Sequence, residues 1–177
     1  EPKSIVASGG RYGYPNQDTE TPDTLQTLFE YDNFTMLWEN AVGIDGGNYG
    51  QDEGIAFIGN NGTLQIDRGG WQVISEKDYQ NDRKLKLETI PYQKSKGSGL
   101  DFHTKNFVEA IRNNDPNSLA CGIDSGSIAC INAHMGNISY KVGRKIFWDK
   151  ESQNFGNDKQ ANDLISPKYN NGFKLPS

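Results

Sequence analysis

Ile128, Ile131, Met135, Ile138 and Val142 recur at steps of three or four residues, and Gly143 follows where a helix ends in a left-handed cap. This pattern specifies one amphipathic helix, and a helix with a single apolar stripe needs a layer to lie on. The first hundred residues supply that layer, because their period is two. Thr24 to Tyr31 places Leu25, Thr27, Phe29 and Tyr31 on one face, as a half-buried strand does. Asp32-Asn33 gives turn residues and Phe34 to Glu39 returns, which predicts a hairpin. Ile55 to Ile58, Thr63 to Asp67 and Trp71 to Ser75 are short strands separated by Asn60-Asn61-Gly62 and Arg68-Gly69-Gly70 turns. Lys3 to Ser8 is a first strand broken by Gly9-Gly10, and a further strand fits around Lys84 to Ile90.

A second helix opens at Ser98-Gly99-Leu100-Asp101, a capping box. It places Leu100, Phe107, Val108 and Ile111 on one face and stops at Asn113-Asn114-Asp115-Pro116. Beside the apolar stripe of the longer helix runs a row of small residues, Gly126, Ala129, Ala133 and Gly136, that permits close approach to a neighbour. The fold class expected is α+β. A single domain over residues 1–177 holds an open, mostly antiparallel sheet, two main helices packed on one face, and an extended C-terminal tail. Trp148, Phe155, Tyr169 and Phe173 are the aromatic anchors of that tail.

Charge narrows the partners. Eighteen Lys plus Arg against 23 Asp plus Glu leave a net charge of −5, which argues against nucleic acid or an anionic membrane. No apolar run approaches the roughly 20 residues that span a bilayer. Two cysteines, Cys121 and Cys130, exclude a disulfide scaffold and a Cys-rich metal fold. Glu1-Pro2-Lys3-Ser4-Ile5-Val6 has neither the basic nor the apolar region of a signal peptide and reads as a strand beginning mid-protein. Compartment is therefore not legible, cytoplasm and periplasm both being open.

A complete enzyme is not visible. Gly43-Ile44-Asp45-Gly46-Gly47-Asn48-Tyr49-Gly50 has the wrong spacing for a dinucleotide fingerprint and precedes no helix, and no P-loop lysine motif occurs. His103 and His134, with the two cysteines, lack metal-ligand spacing and are expected to be packing residues between helix and sheet. No nucleophile elbow occurs. One stretch suits binding. Trp38-Glu39-Asn40 ends a strand and the glycine loop runs on through Tyr49. Aromatic rings stack on sugar C–H faces and amides bond hydroxyls, so Trp38, Asn40 and Tyr49 are candidate contacts for a sugar or polyol.

At the longer helix the sequence resembles a known family. Ala133-His134-Met135-Gly136-Asn137-Ile138-Ser139-Tyr140-Lys141-Val142-Gly143-Arg144 resembles the C-terminal domain of the Gfo/Idh/MocA family of NAD(P)-dependent sugar oxidoreductases. Gly59-Asn60-Asn61-Gly62-Thr63-Leu64 is similar to its strand turn and His103-Thr104-Lys105-Asn106-Phe107 to its helix start. Trp148-Asp149 and Ala161-Asn162 are similar to its tail, and Thr21-Pro22-Asp23-Thr24 fits a subgroup. The resemblance implies a two-domain parent. A Rossmann domain with a Glu-Lys-Pro segment holds NAD or NADP. The C-terminal domain, an open sheet with helices on one face, shapes the substrate pocket and often forms the subunit contact. None of the seven prolines here follows a lysine, so no catalytic residue carries over.

The resemblance implies that the chain is the substrate-binding and oligomerisation domain of a sugar or polyol oxidoreductase. Its Rossmann domain is absent, and it binds no cofactor and is inactive alone. A homo-oligomer through the sheet face is expected. The alternative is a stand-alone carbohydrate-binding or protein-interaction module. A third reading is a self-associating scaffold that pairs through a sheet face rich in Thr, Leu, Ile and Tyr.

Overall fold

The structure, a computed structural model, describes residues 1–167, 169, 171 and 172. Its strands are β1 (Ser4–Gly10), β2 (Thr24–Glu30), β3 (Thr35–Ala41), β4 (Ile55–Ile58), β5 (Gly62–Ile66), β6 (Gly70–Ser75), β7 (Lys77–Asp78), β8 (Lys84–Leu85), β9 (Ile90–Lys94) and β10 (Ile146–Phe147). Its helices are α1 (Gly99–Arg112), α2 (Ile123–Val142) and α3 (Lys159–Asn162). The class is α+β with antiparallel pairing throughout, as the strand and helix periods require. The strands divide into two four-stranded sheets and a two-stranded ribbon. The chain forms two compact units, one of Glu1–Asp45 with Ile123–Ser177 and one of Gly46–Gly122.

The first unit holds the sheet β10-β1-β2-β3. Its register aligns Ile5, Phe29 and Met36 in one row, Ala7, Thr27 and Trp38 in the next, and Gly9, Leu25 and Asn40 in a third. All three rows lie on one face, because alternate residues of a strand share a face. On β2 the alternation is complete: Leu25, Thr27 and Phe29 are buried while Gln26, Leu28 and Glu30 are exposed. α2 lies over this face. Met135 and Ile138 join Ile5, Phe29 and Ile146 in the core, with Ile131 and Val142 half-buried beside them. Each such side chain contributes about 1.5–3 kcal/mol on full burial.

Two polar details fix α2 on its sheet. A Cβ added at Gly136 would lie 3.2 Å from Thr27 Oγ1, so the missing side chain lets helix and strand close up. Gly126, in the same row of small residues, has open space instead. The Ser139 hydroxyl, fully buried, accepts from the Ala7 N–H at 3.0 Å and donates to the Arg144 carbonyl at 2.9 Å. Gly143 closes the helix at φ +70°, with its N–H on the carbonyls of Ser139 and Tyr140.

The tail is pinned as the aromatics suggest. Trp148 meets Phe155 edge-on at 4.9 Å, Phe155 is buried, and the Trp148 indole N–H donates to Glu1 Oε2 at 3.0 Å. Asp158 caps α3 through the Ala161 N–H and receives both guanidinium arms of Arg144, at 2.6 and 2.8 Å. Tyr169 is about half exposed, and Phe173 lies outside the described residues.

The second unit holds the sheet β4-β5-β6-β9, the ribbon β7-β8, α1 and a 3₁₀ turn at Pro116–Ser118. Asp67 ties the β5–β6 turn by accepting from Gly69 N–H, Gly70 N–H and the Tyr92 hydroxyl. The segment around Lys84 to Ile90, read as one strand, splits into β8 and the start of β9. α1 is capped by Ser98, whose hydroxyl accepts from the Asp101 N–H. The Asn106 side chain bridges α1 to the segment after the 3₁₀ turn, donating to Ser118 O and accepting from Ala120 N–H. Leu100, Phe107 and Ile111 of α1 are more than half exposed.

The histidines depart from expectation. Both His103 on α1 and His134 on α2 are exposed and not packed between helix and sheet. His134 directly precedes the buried Met135, a step of about 100° round the helix, which carries it off the core stripe.

Candidate functional site

The rim of the first sheet where β1 ends and β2 begins carries a cluster of side chain to backbone bonds. The register pairs Gly10 with Thr24 and Thr24 with Ala41, so three strand ends meet there. Residues 11–22 form an irregular loop between β1 and β2. Asp23 holds the base of that loop. Its Oδ1 accepts from Tyr12 N–H at 3.0 Å, Gly13 N–H at 3.2 Å and the Thr24 hydroxyl at 2.8 Å, and its Oδ2 accepts from Tyr14 N–H at 2.8 Å. Its main-chain carbonyl accepts from Val42 N–H at 2.9 Å and lies 3.5 Å from the Asn40 amide nitrogen. One residue thus joins the loop to the end of β3.

The electrostatics follow. Asp23 is 8% exposed, and that burial works against its ionisation. The hydrogen bonds from Tyr14 N–H, the Thr24 hydroxyl, Gly13 N–H and Tyr12 N–H outweigh it and hold the pKa at about 2. Gly13 and Gly43 also meet backbone to backbone, since a Cβ on either would lie 3.0 Å from the other's Cα. Around this base the large side chains stay open: Tyr12 is 71% exposed, Trp38 56% and Tyr14 41%.

Of the residues read from sequence, Trp38 and Asn40 stand two apart on β3, on the face that also carries Thr27 and Leu25. Asn40 is half-buried. The Thr27 hydroxyl opposite Trp38 is buried and has no hydrogen-bond partner among the described residues. Tyr49 belongs to the second unit, at φ +58° beside an isolated bridge between Asn48 and Gln51, with its ring 88% exposed. Sequence reasoning missed Asp23, Tyr12 and Tyr14 as parts of one arrangement. The signal available was an aspartate directly before a strand, facing a loop with a glycine between two tyrosines.

Other chemistries find less support. The glycine-rich stretch after β3 runs into β4, so no helix N-terminus meets it, and its backbone does not fit a dinucleotide pyrophosphate. Among the described residues no group of three His, Cys, Asp or Glu could hold a metal ion. Among them, too, no helix is long and apolar enough to cross a membrane. Cys121 and Cys130 are free and exposed.

Comparison with known proteins gives a consistent picture. The family profile described as "Oxidoreductase family, C-terminal alpha/beta domain", of the Gfo/Idh/MocA type, matches residues 77–175. No curated protein matches the chain. Two solved structures are similar in fold. YvaA of Bacillus subtilis, assigned as an oxidoreductase, has a TM-score of 0.57 at 14% identity, over 84% of this chain and 45% of its own. An assigned oxidoreductase from Klebsiella pneumoniae has a TM-score of 0.56 at 10% identity, over 92% of this chain and 47% of its own. The chain therefore spans about half the length of the solved chains it matches.

Proposed function

The chain belongs to the Gfo/Idh/MocA oxidoreductase family, within its C-terminal α/β domain, and from that premise we propose that it is the substrate-binding and oligomerisation part of an NAD(P)-dependent sugar or polyol oxidoreductase. The observation that carries this reading is Trp38 and Asn40 on one face of β3 beside the loop held by Asp23. The exposed indole offers a stacking surface for the C–H face of a ring. The Asn40 amide nitrogen faces the Asp23 carbonyl, which leaves the amide oxygen to accept from a hydroxyl. The Asp23 charge is consumed by its own loop, so the rim favours neutral, hydroxylated ligands.

A nicotinamide cofactor would supply the hydride. The residues of this chain do not fit it, so it would be held by a Rossmann domain in the rest of the parent protein. These residues bind and orient substrate, and hydride transfer does not run on them alone. The outer face of the first sheet supports the oligomer reading, since Val6, Leu28 and Leu37 stand in register there and are all exposed.

Titration of the chain with D-glucose and with glycerol, read by amide chemical shifts around residues 38–40, tests the site. Binding is expected, and Trp38→Ala is expected to weaken it about tenfold, equivalent to about 1.4 kcal/mol. Unchanged affinity in Trp38→Ala would overturn the site. Micromolar affinity of the isolated chain for NAD(H) or NADP(H) would overturn the division of labour. Sugar binding in a protein whose gene carries no upstream dinucleotide fingerprint would favour a stand-alone carbohydrate module.

A further inference from the structure

The connection between β1 and β2 is far longer than its geometry needs. Gly10 and Thr24 are paired across an antiparallel register, so a two-residue turn could join them. Residues 11–23 intervene instead, without helix or strand. Long irregular connections inside compact units are uncommon and usually functional. The base of this one is ordered by a buried carboxylate that accepts from the consecutive N–H groups of Tyr12, Gly13 and Tyr14, with the Thr24 hydroxyl as a fourth donor from β2. Gly13 is then pressed against Gly43, and the Arg11 guanidinium donates to Gln17 O at 2.6 Å, tying the base to the outer part of the loop. Two tyrosines are thereby fixed at their backbones, the Tyr12 ring lying against Gly10 with its outer side in solvent and the Tyr14 ring 41% exposed. A tyrosine loses little conformational entropy on contact and offers both a stacking face and a hydroxyl.

We propose that Asp23 is a positioning residue that latches residues 11–14 as one wall of the ligand site, and that Tyr12 and Tyr14 contact the ligand from that wall. The proposal deepens the sugar or polyol reading of Trp38 and Asn40 and rests on it. The latch works from both ends of one residue. The carboxylate holds the loop, and the main-chain carbonyl holds Val42 and faces Asn40, so wall and strand end keep a fixed spacing. The ligand class is a neutral ring or chain with several hydroxyls, since the buried Asp23 carboxylate is fully engaged.

The test has two arms. In the first, without ligand, amide hydrogen exchange is measured at Tyr12, Gly13 and Tyr14 in the wild-type chain, in Asp23→Ala and in Gly13→Ala. Asp23→Ala is expected to speed exchange at these amides by about tenfold or more, with Phe29 and Met36 unchanged. Added formate is expected to restore part of the protection by filling the same three N–H groups. Gly13→Ala, which keeps the carboxylate but adds a Cβ 3.0 Å from Gly43 Cα, is expected to loosen the same amides. Equal exchange in wild type and Asp23→Ala overturns the latch whatever the ligand result. In the second arm, D-glucose and glycerol are titrated into wild type, Trp38→Ala, Tyr12→Phe, Tyr14→Phe and Tyr14→Ala. Weaker binding in Tyr14→Ala, and a loss for one hydroxyl deletion, support the wall. Weaker binding in Trp38→Ala with both tyrosine positions silent overturns the wall but keeps the site. No binding of either probe by the wild-type chain overturns the site and the wall, and leaves the exchange result to decide the latch alone.

Discussion

Asp23 is ionised down to about pH 2 because four donors converge on a carboxylate that is 8% exposed. An unfolded aspartate titrates near pH 3.9. The folded pKa is the lower of the two, so the stabilisation is complete above about pH 4 and is lost as pH falls through about 2. The amide shifts of Tyr12, Gly13 and Tyr14 are therefore expected to stay constant from neutral pH to about pH 3 and to move together below it. A two-dimensional NMR titration reads this directly, and a transition near pH 4 would contradict the bonding. Ser139 makes a second prediction at this scale. Ser139→Ala removes the buried hydroxyl that pairs the Ala7 N–H and the Arg144 carbonyl. A loss of about 1–3 kcal/mol is expected by urea denaturation. The Ser139 hydroxyl sits on the polar edge of the α2 stripe, where sequence alone marks a serine as a poor helix former and gives no hint of a bond reaching back to β1.

Gly136 decides how closely α2 approaches β2. Gly136→Leu is expected to cost about 1–3 kcal/mol by overpacking against Thr27 and Phe29, read as a lower denaturation midpoint. Gly126→Ala, on an open turn of the same helix, is expected to be neutral or slightly stabilising. The difference between these two glycines was not legible in the sequence, where both belong to one row of small residues. What was legible is whatever a single element decides for itself. The alternation of Leu25, Thr27 and Phe29 gave the buried face of β2, Gly143 the end of α2, and Ser98 with Asp101 the start of α1. Tertiary partners were not. The apolar stripe of α1 is real as a pattern, yet Leu100, Phe107 and Ile111 remain more than half exposed. His134 read as a packing residue and is in solvent. The site follows the same division. Trp38 and Asn40 could be placed on one strand face by counting in twos. Asp23 could not be recognised as the holder of the loop, because its partners are mostly backbone N–H groups, which look alike at every residue.

At the scale of the whole molecule, the exposed row Val6, Leu28 and Leu37 is where the proposed oligomer makes a prediction. Leu28→Lys is expected to shift the chain toward monomer in sedimentation velocity without lowering its stability by more than about 0.5 kcal/mol, since that face carries no core residue. A monomeric wild-type chain at high concentration would remove the oligomerisation part of the proposed function. The order of the units along the chain has a different consequence, for synthesis. The first unit is interrupted in sequence by the whole of the second, and the Ala7 N–H finds its partner on Ser139 only 132 residues later. Emerging from a ribosome, β1, β2 and β3 must wait with one apolar face bare while residues 46–122 are made, whereas the later unit has all its strands in hand by then. Of the two units, the one begun earlier is thus the later to be finished, and during that interval the nascent chain is open to aggregation or to chaperone capture.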